Sequence, residues 1–142
     1  MVTREQLVSL LYRYAQTQNM DVSEKADLGD YADAEQVSAY AREAMAWAIG
    51  NGIVEGVDAA TLAPKGTATR AQAAAMIGRT QAKGYALADL TFTDSGKIPG
   101  YADYYIRTMA AQGVINGYSD GSFKPHSNIT RGQMAKILYN LM

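Results

Sequence analysis

The chain has 142 residues, of which 48% are hydrophobic and 19% charged, a composition that suits one compact domain or a few small repeats and excludes a disordered tail. Thirteen basic and fourteen acidic residues give a net charge of −1, so no overall basic field favours nucleic acid or anionic lipid. The longest apolar run, Ala44–Ile49, falls far short of the ~20 residues that cross a bilayer. We therefore expect no membrane span, and we expect any export signal to lie outside this chain. The absence of cysteine excludes disulfides and thiol chemistry.

The first predicted helix starts at a capping box. Thr3 and Gln6 have the Thr-x-x-Gln spacing in which each side chain bonds the other residue's backbone. Behind them, Leu7, Leu10 and Leu11 form a helical apolar stripe. The polar segment Gln16–Asp27 then reads as a connection.

Helices of a different type follow, with apolar residues at helical spacing from Val37 to Ile49 and again from Ile98 to Ala110. We call these the first-type helices, because each is the first helix of a repeat described below. Each stripe leads to a glycine, Gly52 or Gly113, which is able to end the helix in the left-handed conformation. Two further capping boxes, Thr69–Gln72 and Thr130–Gln133, each predict another helix like the one that starts after Thr3.

These elements belong to an internal repeat. A shift of 61 residues aligns Leu28–Gln81 with Asp89–Met142 without a gap. The sequence thus predicts two complete helix-loop-helix repeats, preceded by the second half of another. We expect domain boundaries of 1–27, 28–88 and 89–142, with Lys83–Leu90 as a connection. The identical pairs include Asp33/Asp94, Tyr40/Tyr101, Gly52/Gly113, Gly56/Gly117, Pro64/Pro125, Arg70/Arg131 and Gln72/Gln133.

An arginine directly follows each capping threonine, as Arg4, Arg70 and Arg131. The helix dipole opposes a cation in the first turn by ~0.3–1 kcal/mol, so helix propensity does not explain three copies. A guanidinium beside the amide groups of a helix end is able to bind an anion, which makes these arginines candidate ligand-binding residues. The alternative is structural, with each arginine paired to an acid such as Asp33 or Asp94.

Aromatic residues offer flat faces to sugar rings and polar edges to their hydroxyl groups. Tyr118 lies in a predicted tight loop and is the better exposed candidate. Asp120 in the same loop has the chemistry to orient a sugar hydroxyl, although aspartate before glycine is more often a turn former. Trp47 lies at the edge of an apolar stripe, where core packing competes with ligand stacking as its role.

Little in the sequence supports catalysis. His126 is the only histidine and lies in a polar loop without a serine triad motif. The loop at Asn116–Gly121 lacks the alternating acids of a calcium-binding loop, and Ser127 occupies the position of its glutamate. We therefore expect a protein that is not an enzyme and that has no metal and no cofactor.

The run Gly113–Pro125 followed by Ile129-Thr130-Arg131-Gly132-Gln133 resembles the S-layer homology domain. The resemblance extends over nearly the whole chain. It implies a mainly helical fold with repeats packed as a pseudo-threefold bundle. It also implies an extracellular module that anchors an exported protein non-covalently to the bacterial cell surface. The partner would be a secondary cell-wall polysaccharide or another peptidoglycan-linked glycan, often anionic and pyruvylated.

The resemblance places ligand grooves between repeats and assigns them the arginine of the family's Thr-Arg-Ala-Glu motif. That arginine corresponds to Arg4, Arg70 and Arg131. The other ligand positions correspond to Asp33, Asp94, Asp120 and Trp47. Glutamine replaces the glutamate of the motif, which keeps the cap but removes a carboxylate. The three glutamines are Gln6, Gln72 and Gln133.

The helix that starts after Thr3 has no first helix of its own repeat to cover its stripe. It has to pack on the other repeats or on another chain, so both a monomer and a homodimer through this helix fit the sequence. This feature supports an alternative function, a helical protein-interaction or self-assembly module in which the arginines form structural bridges.

Overall fold

The computed structural model describes residues 1–56, 60–80 and 89–141. Within these ranges the chain forms no strand, and extended pairing is limited to isolated bridges. The predicted mainly helical fold with tandem repeats is confirmed, while the pseudo-threefold packing stays a prediction. Short 3₁₀ turns, such as Ala39–Ala41 and Ser95–Lys97, precede the first-type helices. The helices are α1 (Arg4–Thr17), α2 (Arg42–Gly50), α3 (Arg70–Arg79), α4 (Gly100–Ala111) and α5 (Arg131–Leu141).

The three predicted capping boxes are present at the starts of α1, α3 and α5. In α5, the Gln133 amide N–H donates to the Thr130 hydroxyl at 3.1 Å, and the Thr130 N–H donates to Gln133 Oε1 at 3.0 Å. Two amide groups at the helix start thereby gain partners from side chains rather than water. The equivalent pairs are Thr3 with Gln6 and Thr69 with Gln72.

Gly52 and Gly113 adopt positive φ angles of 69° and 72°, as predicted for the residues that end the first-type helices. These helices begin later than their apolar stripes predict. Val37 and Ile98 are extended, with ψ angles of 124° and 123°. Ile98 precedes Pro99, whose ring disfavours helical backbone at the residue before it.

The chain forms two compact units, Val2–Ala68 and Thr69–Met142, the latter together with Met1. In the first unit α1 packs against α2, and in the second α3 packs against α4. Each unit therefore combines the second helix of one sequence repeat with the first helix of the next. The domain boundaries at 27 and 88 stay predictions, and residues 83–88 of the predicted connection lie outside the described residues.

Most of the apolar stripe of α1 is covered within its own unit, while Leu10 stays 36% exposed. Leu7 and Leu11 are fully buried, and the ring of Tyr12 lies 5.4 Å from the ring of Trp47 on α2. The stripe that the sequence leaves without a cognate helix thus packs on the first helix of the following repeat. This packing covers Leu7 and Leu11 of the stripe on which the predicted homodimer depended but not Leu10, and the homodimer itself stays a prediction.

Candidate functional site

Arg4 and Arg70 turn into their units instead of pointing into solvent. Arg4 is only 6% exposed and Arg70 only 5%. Arg4 Nε donates to the Leu62 carbonyl oxygen at 2.9 Å, and Arg70 Nε donates to the Phe123 carbonyl oxygen at 2.7 Å. Both arginines therefore hold the loop that follows the first-type helix.

The first amide groups of α1 and α3 are also occupied. In α1, the Arg4 and Glu5 N–H groups donate to the carbonyl oxygens of Gly66 and Pro64 at 2.8 and 3.0 Å. An anion therefore finds no open amide at these helix starts, and that part of the anion-site hypothesis is wrong for α1 and α3. The reason is that the loop carbonyls arrive where the hypothesis placed a ligand. The equivalent bonds in α3 join Arg70 and Ala71 to Ser127 and Pro125, at 2.8 and 3.0 Å.

Asp33 and Asp94 hold the same two loops, because their carboxylates accept hydrogen bonds from backbone amide groups of the loops. The Asp94 carboxylate accepts hydrogen bonds from the Phe123 and Lys124 N–H groups at 2.8 and 2.9 Å. Lys124 has a φ of 57°, a left-handed conformation that costs free energy in a residue other than glycine. The carboxylate therefore stabilises a strained turn. In the first unit, Asp33 accepts from the Leu62 and Ala63 N–H groups, each at 2.8 Å, and Ala63 has a φ of 50°.

Asp94 and Arg70 keep their ordinary charges, negative and positive. Burial raises the pKa of Asp94, but the hydrogen bonds from the Phe123 and Lys124 amides outweigh it and hold the pKa below its usual value. Burial lowers the pKa of Arg70, against the opposing attraction of Tyr118 and Asp94. An arginine stays charged at neutral pH despite such a shift. The second unit therefore holds a partly desolvated cation.

Two aromatic rings face the Arg70 guanidinium. Its central carbon lies 4.8 Å from the centre of the Tyr118 ring and 4.6 Å from that of Phe123. Lys124 Nζ lies 4.4 Å from the Tyr118 ring centre. Cation–π contacts of this kind contribute about 0.5–2 kcal/mol each, so the rings and loop carbonyls fix the guanidinium in place.

A cavity of about 190 Å³ opens beside Arg70 in the second unit. Its walls come from the start of α3, the segment after α4 and one face of α5. Two cations, Arg70 and Lys136, line it, and no acid is among the described residues that form its walls. The remaining walls are formed by Val114, Ile115, Asn116, Gly117, Tyr118, Gln133, Ile137 and Asn140.

Arg70 lines this cavity and does not use all of its hydrogen-bonding capacity within the described part of the chain. Nε and Nη2 donate to the carbonyl oxygens of Phe123 and Asn116, at 2.7 and 3.3 Å. Nη1 has no partner in the described part of the chain. Because no buried side-chain nitrogen or oxygen among the described residues lacks a partner, solvent must reach Nη1. An oxygen atom of a ligand is able to take the place of that solvent.

The structure separates the other predicted site residues from this cavity. Trp47 is 2% exposed and packs on Tyr12, which fits the packing role. Asp120 is exposed, and its Oδ1 accepts from the amide and hydroxyl of Ser122 at 2.9 and 2.6 Å, as a turn former does. Arg131 is exposed at the start of α5. Ligand roles for these residues, and for Asp33 and Asp94, stay predictions.

Arg70 and Tyr118 are the two predicted ligand residues that the structure brings to one cavity. Arg4, Asp33 and Trp47 belong to the other unit. Lys136 and Asn140 were not predicted as lining residues, and Gln133 was predicted only as part of a helix cap. Their spacing in α5, at i, i+3 and i+7 from Gln133, places them on one helix face and is the signal that identifies them.

A buried carboxylate in the first unit was also missed. Glu5 is 3% exposed, and it accepts from Lys65 Nζ at 2.6 Å and from the Ser38 amide and hydroxyl, each at 2.9 Å. Burial raises the pKa of Glu5, but the bonds from Lys65 and Ser38 outweigh it and lower the pKa below its ordinary value of 4.5. No pattern signals this cluster, because Ala71 and Gly132 occupy the equivalent positions in the other capping boxes.

The described residues contain no cluster of three or more histidine, cysteine or acidic side chains arranged to hold a metal ion. None of their helices is long and apolar enough to span a bilayer.

Relatives of the chain include surface proteins and an enzyme. An amylopullulanase from Thermoanaerobacterium thermosulfurigenes is 28% identical over 99% of this chain and 8% of its own length. The surface-layer 125 kDa protein of Lysinibacillus sphaericus is 30% identical over 82% of this chain and 10% of its own length. The outer membrane protein SlpA of Thermus thermophilus is 34% identical over 42% of this chain and 6% of its own length. The chain thus spans a tenth or less of each of these relatives.

The sequence model of the S-layer homology domain matches residues 30–74 and 91–135. Each matched segment starts just before the aspartate that clamps the loop and ends within the helix that follows the capping threonine. The two segments make up more than half of the chain, and the protein therefore belongs to the S-layer homology domain family.

Proposed function

We propose that this chain anchors the protein that carries it to the bacterial cell wall by binding a wall polysaccharide at the Arg70 cavity. The observation that carries the proposal is the cavity itself, in which a fixed guanidinium, an aromatic ring and the Lys136 ammonium group meet. Membership of the S-layer homology domain family and the surface-layer relative support the cell-surface location.

The chemistry of the cavity suits an acidic sugar. Arg70 Nη1 and Lys136 offer donors and positive charge, and the aromatic ring of Tyr118 offers a surface for sugar C–H groups. The described lining residues include no carboxylate that would repel an anion. A glycan with carboxylate groups, such as a pyruvylated or uronic acid polymer, is the proposed ligand.

The two repeats differ at the positions that form this cavity. Where the last repeat has Asn116, Tyr118 and Lys136, the preceding repeat has Glu55, Val57 and Ala75. These replacements exchange a neutral side chain for an acid and remove both an aromatic ring and a cation. We therefore assign anionic glycan binding to the Arg70 cavity, which the start of α3 and the last repeat form together.

The proposal assigns no hydrolytic activity to the chain, because the aligned region makes up 8% of the amylopullulanase. The alternative of a self-assembly module retains its basis in the structural bonds of Arg4 and Arg70. A homodimer is tested by the mass of the purified chain in sedimentation.

Co-sedimentation with bacterial walls tests the anchoring proposal. We expect the chain to pellet with intact walls and to stay in solution once the secondary polysaccharide has been extracted. Arg70 is a poor variant for this test, because it also holds the loop at Phe123. Lys136→Gln should weaken binding, whereas Lys97→Gln, the same change at an exposed site outside the cavity, should not. The proposal would be overturned if the chain pelleted equally with extracted and with intact walls.

A further inference from the structure

Asparagine precedes glycine at two places in the chain, Asn51-Gly52 and Asn116-Gly117. In this dipeptide the backbone nitrogen of glycine is able to attack the side-chain carbonyl carbon of asparagine, because glycine has no Cβ atom to obstruct the approach. The attack expels ammonia and closes a cyclic imide, which water then opens to aspartate or isoaspartate. The net change replaces the side-chain nitrogen by an oxygen atom of water and turns a neutral amide into a carboxylate.

Hydrogen bonds restrain the first of these two sites. Asn51 Nδ2 donates to the carbonyl oxygens of Trp47 and Glu24, at 2.8 and 3.1 Å, which holds the side-chain amide in place. The Gly52 N–H donates to the Ile49 carbonyl oxygen at 3.2 Å, so the attacking nitrogen is also engaged. Reaction at this site requires these bonds to break, and therefore a local unfolding at the end of α2.

The second site lacks these restraints. Asn116 and Gly117 are exposed, and neither the Asn116 side-chain amide nor the Gly117 N–H has a hydrogen-bond partner in the described part of the chain. The backbone carbonyl that joins the two residues accepts a bond from Arg70 Nη2 at 3.3 Å. A charged donor on this oxygen draws electron density from the same peptide group and favours loss of the Gly117 proton. The attacking nitrogen is therefore both accessible and activated.

Packing also excludes the substitution that would protect Asn116. A Cβ atom at position 117 would lie 2.6 Å from the Ser122 carbonyl oxygen and 2.6 Å from a ring carbon of Phe92, so the loop requires glycine there. The reactive dipeptide is thus a consequence of how the loop folds.

We propose that Asn116 is a site of spontaneous deamidation, and that the carboxylate it acquires lowers the affinity of the Arg70 cavity for anionic ligands. The second part rests on the proposed function. Asn116 lines the cavity together with Arg70 and Lys136, so the reaction adds a negative charge to walls that hold two positive ones. The preceding repeat has Glu55 at the equivalent position, so a carboxylate is compatible with this place in a repeat. Deamidation therefore weakens the attachment of the chain to the wall as the protein ages.

Peptide mapping by mass spectrometry, after incubation in mildly alkaline buffer, measures the reaction at each site. In the folded chain we expect aspartate and isoaspartate to accumulate at least roughly tenfold faster at Asn116 than at Asn51. In urea, where neither site keeps its contacts, the two rates should be similar, because the dipeptide is the same. Equal rates in the folded chain, or a difference that persists unchanged in urea, would overturn the proposal.

Co-sedimentation with intact bacterial walls measures the effect on binding. Asn116→Asp, which installs the product, should reduce the bound fraction severalfold, whereas Asn19→Asp, the same charge change at an exposed position of the other unit, should not. Asn116→Gln keeps a neutral amide that deamidates far more slowly, and it should retain binding after an incubation that weakens binding by the wild-type chain.

Undiminished binding by Asn116→Asp would overturn the second part of the proposal. Failure of the freshly purified wild-type chain to bind walls would refute the proposed function and this second part with it. Peptide mapping decides the deamidation itself in either case, so the two failures are distinguishable.

Discussion

Arg70 and Asp94 hold the same residue, Phe123, by its two backbone groups. The Asp94 carboxylate accepts the Phe123 N–H at 2.8 Å, and Arg70 Nε donates to the Phe123 carbonyl oxygen at 2.7 Å. A direct pair between these two charges was the structural alternative predicted from the sequence. The bonds instead pass through the loop backbone, which ties α3 and the start of the next repeat to one turn. In the first unit, Arg4, Leu62 and Asp33 repeat the arrangement.

Replacing the clamping acid tests the energetic importance of this arrangement. In Asp33→Asn, the carboxamide has one acceptor oxygen for two loop amides, so one amide of Leu62 or Ala63 loses its partner. We expect a loss of about 1–3 kcal/mol in the free energy of unfolding. Urea unfolding followed by the fluorescence of Trp47, which lies in the same unit, measures it.

Asp30→Asn provides the control for this prediction, since it makes the same charge change at an exposed position of the same unit. It should alter the free energy of unfolding by no more than a few tenths of a kcal/mol. Equal effects of the two substitutions would contradict the clamp.

The buried Glu5 predicts a pH dependence of stability. Its folded-state pKa lies below the ordinary 4.5, so its stabilisation is fully present above that value and is lost as pH falls through the folded-state pKa. Glu5→Gln should be less stable than the wild-type chain at pH 7, and the difference should shrink below pH 4.5. Urea unfolding of both proteins between pH 7 and pH 3 measures the difference. A constant difference over this range would exclude the assigned role of the carboxylate.

Gly78 lies inside α3, where we expect that even alanine cannot replace it without loss of stability. Alanine usually stabilises a helix interior by roughly 0.5–1 kcal/mol relative to glycine. A Cβ atom at Gly78 would lie 2.5 Å from Cδ1 of Tyr105 on α4, so Gly78→Ala should instead destabilise the second unit by about 1–3 kcal/mol. Thermal unfolding followed by circular dichroism checks the sign. Gly96→Ala is the control, because an added Cβ atom there would have no described neighbour within 4 Å, and it should change the stability little. A Gly78→Ala variant as stable as the wild-type chain would show that α3 and α4 pack less closely than described.

Substitution of Trp47 distinguishes a packing role of its ring from a ligand-stacking role. Because the ring is 2% exposed and contacts Tyr12, Trp47→Phe should lower the melting temperature while leaving wall co-sedimentation at the wild-type level. The opposite pattern, unchanged melting with lost wall binding, would assign the ring to the ligand.

Local chemistry made much of the fold predictable. The capping boxes and the glycines that end α2 and α4 depend on residues three or four apart, and each formed where the sequence placed it. The later start of the first-type helices was less accessible, because in the first unit the extended Ser38 donates its amide to Glu5, more than thirty residues away in the chain. A stripe of apolar residues carries no information about such a partner.

The candidate site was predictable only in part. The position of Arg70 after its capping threonine identified the cation, but not the loop carbonyls that fix it. The contact between Gln133 and Tyr118 joins a helix to a loop, and Lys136 reaches the same cavity from the next turn of that helix. These relationships arise when the loop and α5 pack, and neither segment predicts them alone.

The most direct test of glycan binding at the Arg70 cavity is a titration of the ¹⁵N-labelled chain with polysaccharide released from bacterial walls. We expect saturable shifts in the amide signals of Gly117, Tyr118 and Asn140, weakened in Lys136→Gln and preserved in Lys97→Gln. Binding that leaves these signals unchanged, or the absence of binding by a folded chain, would contradict glycan binding at this cavity.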